Sequence, residues 1–391
     1  MAREIAITLY LIVFKMIFAL AKGFPIKKKV VFVVSFSENN QRIWKEMMRQ
    51  DVPCRVIFLA TDKMYPIFSR EQEAETLLFE VKHPVQFLKG IYHLATSKVV
   101  LVDNYYGFMA VSDFKKEVTC IQLWHANGAI KKFGLQDPSN EMRSAKAISR
   151  FKKVYAKFNK IIVGSEAMAD VFREAFGAKE EQFARTGIPR TDPFFDKPKQ
   201  RRIVDKLYGK FPYLRGKKVV LYAPTYREQD LVAFRLQLDL EKIVPSLPEG
   251  MILLVKLHPA VRDRMVIPEA MKDKVFDVST YAGMNELLFV SDILITDYSS
   301  IPFEYSLLGK PMIFYLYDHE SYLMERGVWE DYKTSLPGPV AYTTQEVTSI
   351  LLENSFNEKS ASVGEFCKKW NQYSHGHSST NVVNLINDSL R

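Results

Sequence analysis

The chain has 391 residues, more than one hydrophobic core ordinarily organises, so we expect two domains. Hydrophobic residues make up 47% and charged residues 25%, as in soluble globular proteins, and no sequence period suggests a repeat fold. A net charge of +9 predicts an anionic partner: a nucleotide, a nucleic acid or an acidic membrane surface. Cys54, Cys120 and Cys367 lie far apart without metal-ligand spacing, so we predict reduced thiols and neither a protein-bound metal nor another cofactor.

An almost unbroken apolar run extends over residues 4–21, interrupted by Thr8 and Lys15. Its length lies between that of a transmembrane helix and that of a helix lying in the membrane interface. No small-residue cleavage site follows this run, which argues against a cleaved signal peptide. Because basic residues come directly after it, we expect the rest of the chain to lie on the cytoplasmic side. We therefore predict an uncleaved membrane-association helix within residues 1–26, with a helix packed into the domain core as the alternative.

Strands alternate with helices through residues 27–200, which predicts a parallel sheet covered on both faces, a Rossmann-like domain. Ligands of such sheets bind outside the carboxyl ends of the strands, and His125 stands at such an end. The predicted strands cover residues 30–36, 54–60, 98–103 and 118–125, with helices beginning near residue 42 and near 68–77 and 85–95.

The end of this first half is strongly basic. A helix predicted over 141–158 carries a charge run that forms either a solvated face or a surface for anionic lipid headgroups or a lipid diphosphate. Ser165 is the predicted N-cap of a helix over 166–176, and the polar stretch 197–202 is a predicted linker. The basic residues of the first helix are Arg143, Lys146, Arg150, Lys152, Lys153 and Lys157.

The same alternation continues through residues 201–365, which predicts a second Rossmann-like domain. His258 follows one of its strands, so a histidine stands at a strand end in each α/β half, and we expect the two to face an interdomain cleft. Residues 366–391 are predicted to form helices that pack back on the first domain.

The most informative stretch covers residues 292–315. A buried strand ends in a hydroxyl-rich loop, and a helix predicted over 302–308 stops at Gly309. A helix N-terminus at Ser299 and Ser300 would aim unpaired backbone N–H groups and the positive end of the helix dipole at an anion, most simply phosphate. The alternative is that these serines only cap the helix.

Candidate chemistry gathers around each histidine. His125 is a candidate general base for an acceptor hydroxyl, because neutral imidazole titrates near physiological pH. The residues expected beside it on the acceptor side are Asn127, Gly128, Lys131, Lys132 and Ser165, with Gly128 allowing backbone amides to approach a ligand closely.

Hydroxyls, cations and the serine turn on the other side suit a diphosphate, and His258 would stabilise the leaving phosphate. The predicted donor-binding residues are Thr225, Arg227, Lys256, Thr296, Ser299 and Ser300. Asp297 and Glu304 are also placed there, with three alternative roles: orienting a cation, receiving a ribose hydroxyl or pairing with Arg227. A further alternative for Asp297 is that it simply holds its loop.

Six motifs in the same order resemble those of the CDP-glycerol glycerophosphotransferases of wall teichoic acid synthesis. They are WHANGAIKKFG, VGSEAMADVF, TGIPRTDPFF, VLYAPTYRE, VKLHPAV and ILITDYSSIPFEYSLLGKPMIFYLYD. The resemblance implies a GT-B fold of two Rossmann-like domains, no metal, and peripheral attachment to the inner leaflet of the cell membrane. It also implies that His125 is the base, that His258 lies near the donor diphosphate, and that Ser299 and Ser300 form the phosphate-binding turn.

The resemblance further implies CDP-glycerol as donor and an undecaprenyl-diphosphate-linked disaccharide as acceptor, with other teichoic acid enzymes as further partners and no nucleic acid. Polymerases of the family usually have WHGTP where this chain has WHANG, which, with the compact length and the N-terminal apolar segment, favours a single addition of glycerol phosphate. The alternatives are a poly(glycerol phosphate) polymerase or CDP-ribitol-using homologue, a nucleotide-sugar glycosyltransferase of the same fold, and a non-catalytic basic scaffold that binds membrane or nucleic acid.

Overall fold

A computed structural model describes residues 2–329, 332–356 and 360–391 of the chain. The chain divides into two compact units. The first contains residues 1–127, 133–192 and 373–391, and the second contains residues 128–132 and 193–372. The short segment 128–132, within one of the predicted acceptor-side motifs, therefore belongs to the second unit.

The first unit is built on a seven-stranded parallel sheet with strand order β3-β2-β1-β4-β5-β6-β7. β1 is an inner strand between β2 and β4, and its Val30 and Phe32 pair with Val56 and Phe58 of β2. Its central strands are buried on both faces, which is why they are continuous Val, Ile, Leu and Phe runs. The elements are α1 Ala2–Lys22, β1 Lys27–Val34, α2 Glu38–Arg49, β2 Arg55–Ala60, α3 Tyr65–Phe68, β3 Glu75–Leu78, α4 Pro84–Ala95, β4 Ser97–Val102, β5 Thr119–Gln122, α5 Ala145–Tyr155, β6 Lys160–Ile162, α6 Glu166–Phe176 and β7 Phe183–Ala184.

The second unit is built on a six-stranded parallel sheet with strand order β10-β9-β8-β11-β12-β13. Its elements are α7 Lys197–Lys210, β8 Lys218–Ala223, α8 Leu240–Ile243, β9 Met251–Val255, β10 Val275–Asp277, α9 Met284–Val290, β11 Ile293–Thr296, α10 Ile301–Tyr305, β12 Met312–Tyr315, α11 His319–Arg326, α12 Tyr332–Ser335, β13 Val340–Ala341, α13 Thr344–Glu353 and α14 Ser360–Trp370. The last helix, α15 Ser378–Leu390, returns to the first unit and packs on α2. The predicted α/β class with two parallel sheets is confirmed.

Three local predictions are wrong. Residues 68–77 are not one helix, because α3 ends at Phe68 and β3 begins at Glu75. The predicted linker at 197–202 is the first half of α7, which starts there because the Asp196 carboxylate caps it by accepting the N–H of Lys199. The basic helix predicted over 141–158 is shorter, since Ser144 caps α5 at its start.

The apolar N-terminal run forms one helix, α1, with a buried and an exposed side. Phe14 and Phe18 are each 1% exposed. Phe14 packs against Phe87 of α4 and Phe108, and Phe18 packs against Phe14 and Phe114. By length and composition residues 4–22 are long and apolar enough to cross a membrane. The exposed apolar side chains of α1 are Ile5, Leu9, Ile12, Val13, Met16 and Leu20.

Candidate active-site residues

Each sheet has one point at which the strand order reverses, between β1 and β4 in the first unit and between β8 and β11 in the second. In sheets of this type that point opens a crevice at the carboxyl ends of the strands. At each of these points an aspartate follows one of the two strands: Asp103 follows β4, and Asp297 follows β11. Asp103 accepts hydrogen bonds from the N–H groups of Ser35 and Phe36, and Asp297 accepts one from the N–H of Thr225 at 2.7 Å.

Asp103 fills the crevice of the first unit. It is fully buried and also accepts hydrogen bonds from the Tyr106 hydroxyl at 2.6 Å and from Asn40 Nδ2 at 2.7 Å. Burial raises the pKa of this carboxyl to about 6 in spite of these donors. The backbone amides after β1, which in other Rossmann-like sheets are available to a ligand, are thus occupied by the chain's own carboxylate.

His125 lies three residues beyond β5 with its ring between two aromatic rings. The ring centroids of Phe36 and Trp124 are each 4.3 Å from that of the imidazole. Nδ1 lies 3.2 Å from the carbonyl oxygen of Asp103, and since a carbonyl can only accept, Nδ1 carries the proton. Nε2 of the neutral ring is therefore the nitrogen able to take a proton. Burial lowers the pKa of His125 to about 4, so the ring is neutral at pH 7.

The residues that follow His125 are held by the protein in ways the sequence did not predict. Asn127 is fully buried, and a Cβ on Gly128 would lie 2.5 Å from the Phe303 ring. Gly128 is therefore required by side-chain packing in the second unit, and the close approach of a ligand to its backbone stays a prediction. Lys131 packs over the Tyr322 ring at 5.5 Å, and Lys132 donates its N–H to the Gly327 carbonyl at 3.2 Å.

By their contacts Gly128, Lys131 and Lys132 belong to the second unit, and their role on the acceptor side stays a prediction. Burial, which outweighs the attraction of Asp297, lowers the pKa of Lys131 to about 8. Ser165 is the predicted N-cap, with its Oγ accepting the N–H of Met168 at 3.1 Å. This side chain is fully buried in that role, and its placement on the acceptor side stays a prediction.

Replacing Gly128 by alanine should destabilise the chain by about 1–3 kcal/mol, because the new methyl group overlaps the Phe303 ring and the buried ring must move. The melting temperature measured by calorimetry should fall accordingly. The matched control is Gly209→Ala on α7, where no atom lies within 4 Å of the new Cβ and a small stabilisation is expected. Equal melting temperatures for the two variants would contradict this account of Gly128.

Arg227 is the centre of a buried ion-pair cluster in the second unit. Its guanidinium lies 3.0 Å from Asp297 and 2.7 Å from Asp318, and its side chain is only 6% exposed. Asp297 therefore pairs with Arg227 and holds the loop that follows β8, as one of the predicted alternatives had it. Direct contact of Arg227 with a phosphate stays a prediction. Three tyrosine rings pack on this guanidinium: Tyr298, Tyr317 and Tyr322.

Three further residues of the predicted donor site are also buried or hydrogen-bonded within the protein. Thr296 is fully buried in β11 and donates its hydroxyl to the Ala223 carbonyl at 2.7 Å. Lys256 donates to the Ser279 carbonyl at 2.8 Å, and Glu304 is buried in α10. The hydroxyl proton of Thr296 is thus committed to the sheet, and its predicted role in donor binding stays a prediction.

His258 has an arrangement opposite to that of His125. Its Nδ1 accepts the N–H of Ala260 at 3.2 Å, so the neutral ring carries its proton on Nε2 and can donate from there. The exposed imidazole packs against the Tyr226 ring, with centroids 5.1 Å apart. Both rings, together with Thr225, line an open pocket of about 320 Å³ in the second unit.

Ser299 and Ser300 form the turn before α10. Ser299 Oγ accepts the N–H of Ile301 at 3.2 Å, and both serines are half-buried. α10 has five residues and continues as a short 3-10 helix to Leu308 before Gly309, so its dipole is weaker than that of the continuous helix predicted. Within residues 2–329, 332–356 and 360–391, no group of three or more His, Cys, Asp or Glu side chains could hold a metal ion.

Comparison with known proteins decides the family. The model of the family described as CDP-Glycerol:Poly(glycerophosphate) glycerophosphotransferase matches residues 16–388. The chain belongs to this family. It is an enzyme, a glycerophosphotransferase of teichoic acid synthesis.

Several relatives of this glycerophosphotransferase are similar along nearly their whole length. The teichoic acid glycerol-phosphate primase of Bacillus subtilis (strain 168) is 37% identical over 93% of either chain. The teichoic acid ribitol-phosphate primase of Bacillus spizizenii is 32% identical over 94% of this chain and 92% of its own.

Solved structures of lower identity share the fold. The wall teichoic acid polymerase TagF superposes with a TM-score of 0.79 at 21% identity, over 100% of this chain and 98% of the other. The UDP-GlcNAc 2-epimerase of Neisseria meningitidis gives 0.61 at 15% identity, over 92% and 99%. The predicted GT-B-like fold of the glycerophosphotransferase is confirmed.

Four residues around these positions were not predicted: Asn39, Asp103, Arg190 and Asp318. Asp103 had a usable signal, because it follows a buried strand just as Asp297 does. Arg190 and Asp318 lie inside motifs that were recognised but were given no role, while Asn39 carries no signal in the sequence.

Proposed function

We propose that this glycerophosphotransferase transfers a single glycerol 3-phosphate from CDP-glycerol to N-acetylmannosaminyl-N-acetylglucosaminyl-diphospho-undecaprenol and releases CMP. The observation that carries the proposal is similarity to two relatives named teichoic acid glycerol-phosphate primase. They are 37% and 35% identical over 93% and 97% of this chain. The donor is supported by a TagF variant solved after a soak with CDPG.

In the proposed reaction, an acceptor hydroxyl gives its proton to Nε2 of His125, and its oxygen attacks the glycerol-bearing phosphorus. The bond from that phosphorus to the bridging oxygen breaks, and CMP leaves with the bonding electrons. His258 then donates from Nε2 to the leaving phosphate. The opposite tautomers of the two rings support this division, since one has a free lone pair at Nε2 and the other a proton there.

The donor is proposed to occupy the pocket beside His258. Its lining combines the Thr225 backbone region, which Asp297 holds in place, with aromatic rings suited to a nucleobase. Ser299 and Ser300 are proposed to contact the diphosphate. The aromatic lining residues are Tyr222, Tyr226, Phe234 and Tyr317.

The proposal is tested by incubating the purified chain with CDP-glycerol and the lipid-linked disaccharide. We expect CMP and a lipid product heavier by one glycerol phosphate after exhaustive reaction. A ladder of masses would identify a polymerase, and a nucleoside diphosphate product would identify a glycosyltransferase. CDP-ribitol belongs in the same panel because a ribitol-phosphate primase is among the relatives, and its preferential use would overturn the choice of donor.

We propose that α1 lies in the plane of the inner leaflet of the cell membrane. A spanning arrangement would have to detach Phe14 and Phe18 from the first unit, whereas an in-plane helix keeps them packed and buries its exposed apolar side in lipid. Val85 and Leu88 of α4, against which α1 packs, are exposed too. Arg150 of α5 forms an ion pair with Glu4 of α1. The basic residues of α5 would therefore meet anionic headgroups.

Replacing Leu9 and Leu20 together by glutamate should lower binding to phosphatidylglycerol vesicles by at least about tenfold, since each exposed leucine is expected to bury its side chain in lipid. Co-sedimentation measures this. Val266→Glu, at an exposed apolar residue of the second unit, is the control and should bind like the unchanged chain. A protein that resists alkaline carbonate extraction would indicate a spanning helix instead.

The low pKa of His125 predicts the pH dependence. A base with a pKa of about 4 is unprotonated at pH 5, so kcat/KM for CMP release should stay level from pH 8 down to about 5 and fall only below that. Asp103, with a pKa of about 6, is a nearby group that titrates between pH 8 and pH 5. The variant Asp103→Asn is the control because it removes this titration. A fall near pH 6.5 that persists in this variant would contradict the assignment of His125 as the base.

A further inference from the structure

The main chain at Trp124 has an unusual conformation. Its φ of 53° is in the left-handed region, which is strained for a residue with a Cβ. This residue directly precedes His125, so its conformation sets where the imidazole lies. Something in the first unit must offset the cost.

Two side chains hold the carbonyl groups of this dipeptide. Asn39 Nδ2 donates to the Trp124 carbonyl oxygen at 3.1 Å, and Arg190 Nη1 donates to the His125 carbonyl oxygen at 2.6 Å. The two holders are themselves connected, since the N–H of Arg190 donates to Asn39 Oδ1 at 2.9 Å. Gln122 adds a third contact, accepting the N–H of Trp124 at 2.8 Å.

Asn39 and Arg190 are themselves fixed in place. Asn39 is 4% exposed at the start of α2, and Arg190 forms an ion pair with Glu38 at 2.6 Å. Arg190 comes from the TGIPRTDPFF motif, to which the proposed reaction gives no other task. The three elements that meet here are β5, α2 and the 3-10 helix Pro189–Phe194.

We propose that Asn39 and Arg190 are positioning residues for the proposed transfer: they hold the Trp124–His125 main chain so that His125 keeps Nδ1 on the Asp103 carbonyl and Nε2 available for the acceptor proton. The inference rests on the proposed function of His125. Without these contacts the left-handed residue relaxes, the ring leaves the Asp103 carbonyl, and its tautomer is no longer fixed. A displacement of about 1 Å is enough to lower a rate on the order of a hundredfold.

Two conservative variants test the proposal. Asn39→Asp keeps the acceptor for the Arg190 N–H but removes the donor to Trp124, and Arg190→Lys keeps the charge but loses the planar fork. We expect each to lower kcat for CMP release by about 10- to 100-fold. The KM for CDP-glycerol should change by less than about threefold, because the proposed donor residues lie in the second unit.

The same variants are then made with His125→Ala. Residues that act only through His125 cause no further loss when the imidazole is absent, whereas a general folding defect lowers the residual rate again. Arg185→Lys is the matched control in the same region, since Arg185 pairs with Glu166 and Glu180 at the surface and should leave kcat unchanged.

A measurement independent of activity is nitrogen-15 NMR of histidine-labelled protein, with the His125 signal assigned by its loss in His125→Ala. The unchanged chain should show the Nδ1–H tautomer, and Asn39→Asp a mixture. An unshifted His125 signal or an unchanged kcat in Asn39→Asp would overturn the positioning role. Absence of CMP from the unchanged chain would instead overturn the proposed function, and a shifted tautomer would still report the positioning.

Discussion

His125→Ala should lower kcat for CMP release by about 10²- to 10⁴-fold, the range typical of removing a general base. The physical reason is that the acceptor hydroxyl must lose its proton as it attacks, and Nε2 of this neutral, carbonyl-anchored ring is the proposed proton acceptor. The KM for CDP-glycerol should change little, because the pocket proposed for the donor is lined by residues of the second unit. Steady-state CMP release with the lipid-linked disaccharide measures both constants.

The control is a histidine of the first unit outside the site. His83 pairs with Asp62 before α4, and His83→Ala should keep kcat within about twofold of the unchanged chain, as is usual away from a catalytic centre. Melting temperatures of both variants establish that they are folded. If His125→Ala retained more than a tenth of the activity, the proton would have to go elsewhere and the proposed mechanism would fail.

Arg227→Ala should be the most destabilising single change in the second unit. It leaves Asp297, 2% exposed, and Asp318 close together without their shared cation, and removing one partner of a buried ion pair costs about 3–5 kcal/mol. For a unit of this size the melting temperature should fall by about 6–20 °C, measured by calorimetry on the intact chain.

An exposed ion pair in the same unit is the natural comparison. Arg262 and Asp263 lie 3.4 Å apart at the surface, and Arg262→Ala should change stability by less than about 1 kcal/mol. Arg227→Lys separates structure from binding, because it restores the charge but not the planar fork. A stable Arg227→Ala with a raised KM for CDP-glycerol would show that this guanidinium serves the donor and not the fold.

The fold could be predicted from the sequence to a large extent because buried parallel strands are long apolar runs between helices. β1, β2 and β11 were predicted on that basis, while the four-residue β3 was included in a helix because so short a strand has too few residues to show its period.

The site was predicted less completely, since its contacts join residues far apart in the chain. Nothing local to Gly128 shows that the Phe303 ring lies against it, and nothing local to Arg227 shows that Asp318 neutralises it. The family motifs supplied candidate residues. They did not show which of these side chains are held by contacts within the protein and which can reach a substrate.

The carboxylate of Asp103 has a consequence for how the two halves of the enzyme divide their work. It accepts the N–H groups of Ser35 and Phe36 after β1, the position at which α/β sheets that bind nucleotides receive a phosphate. Under the proposed function, this half carries the base and the nucleotide binds in the second unit. We therefore expect the enzyme to be saturated by a single CDP-glycerol molecule per polypeptide.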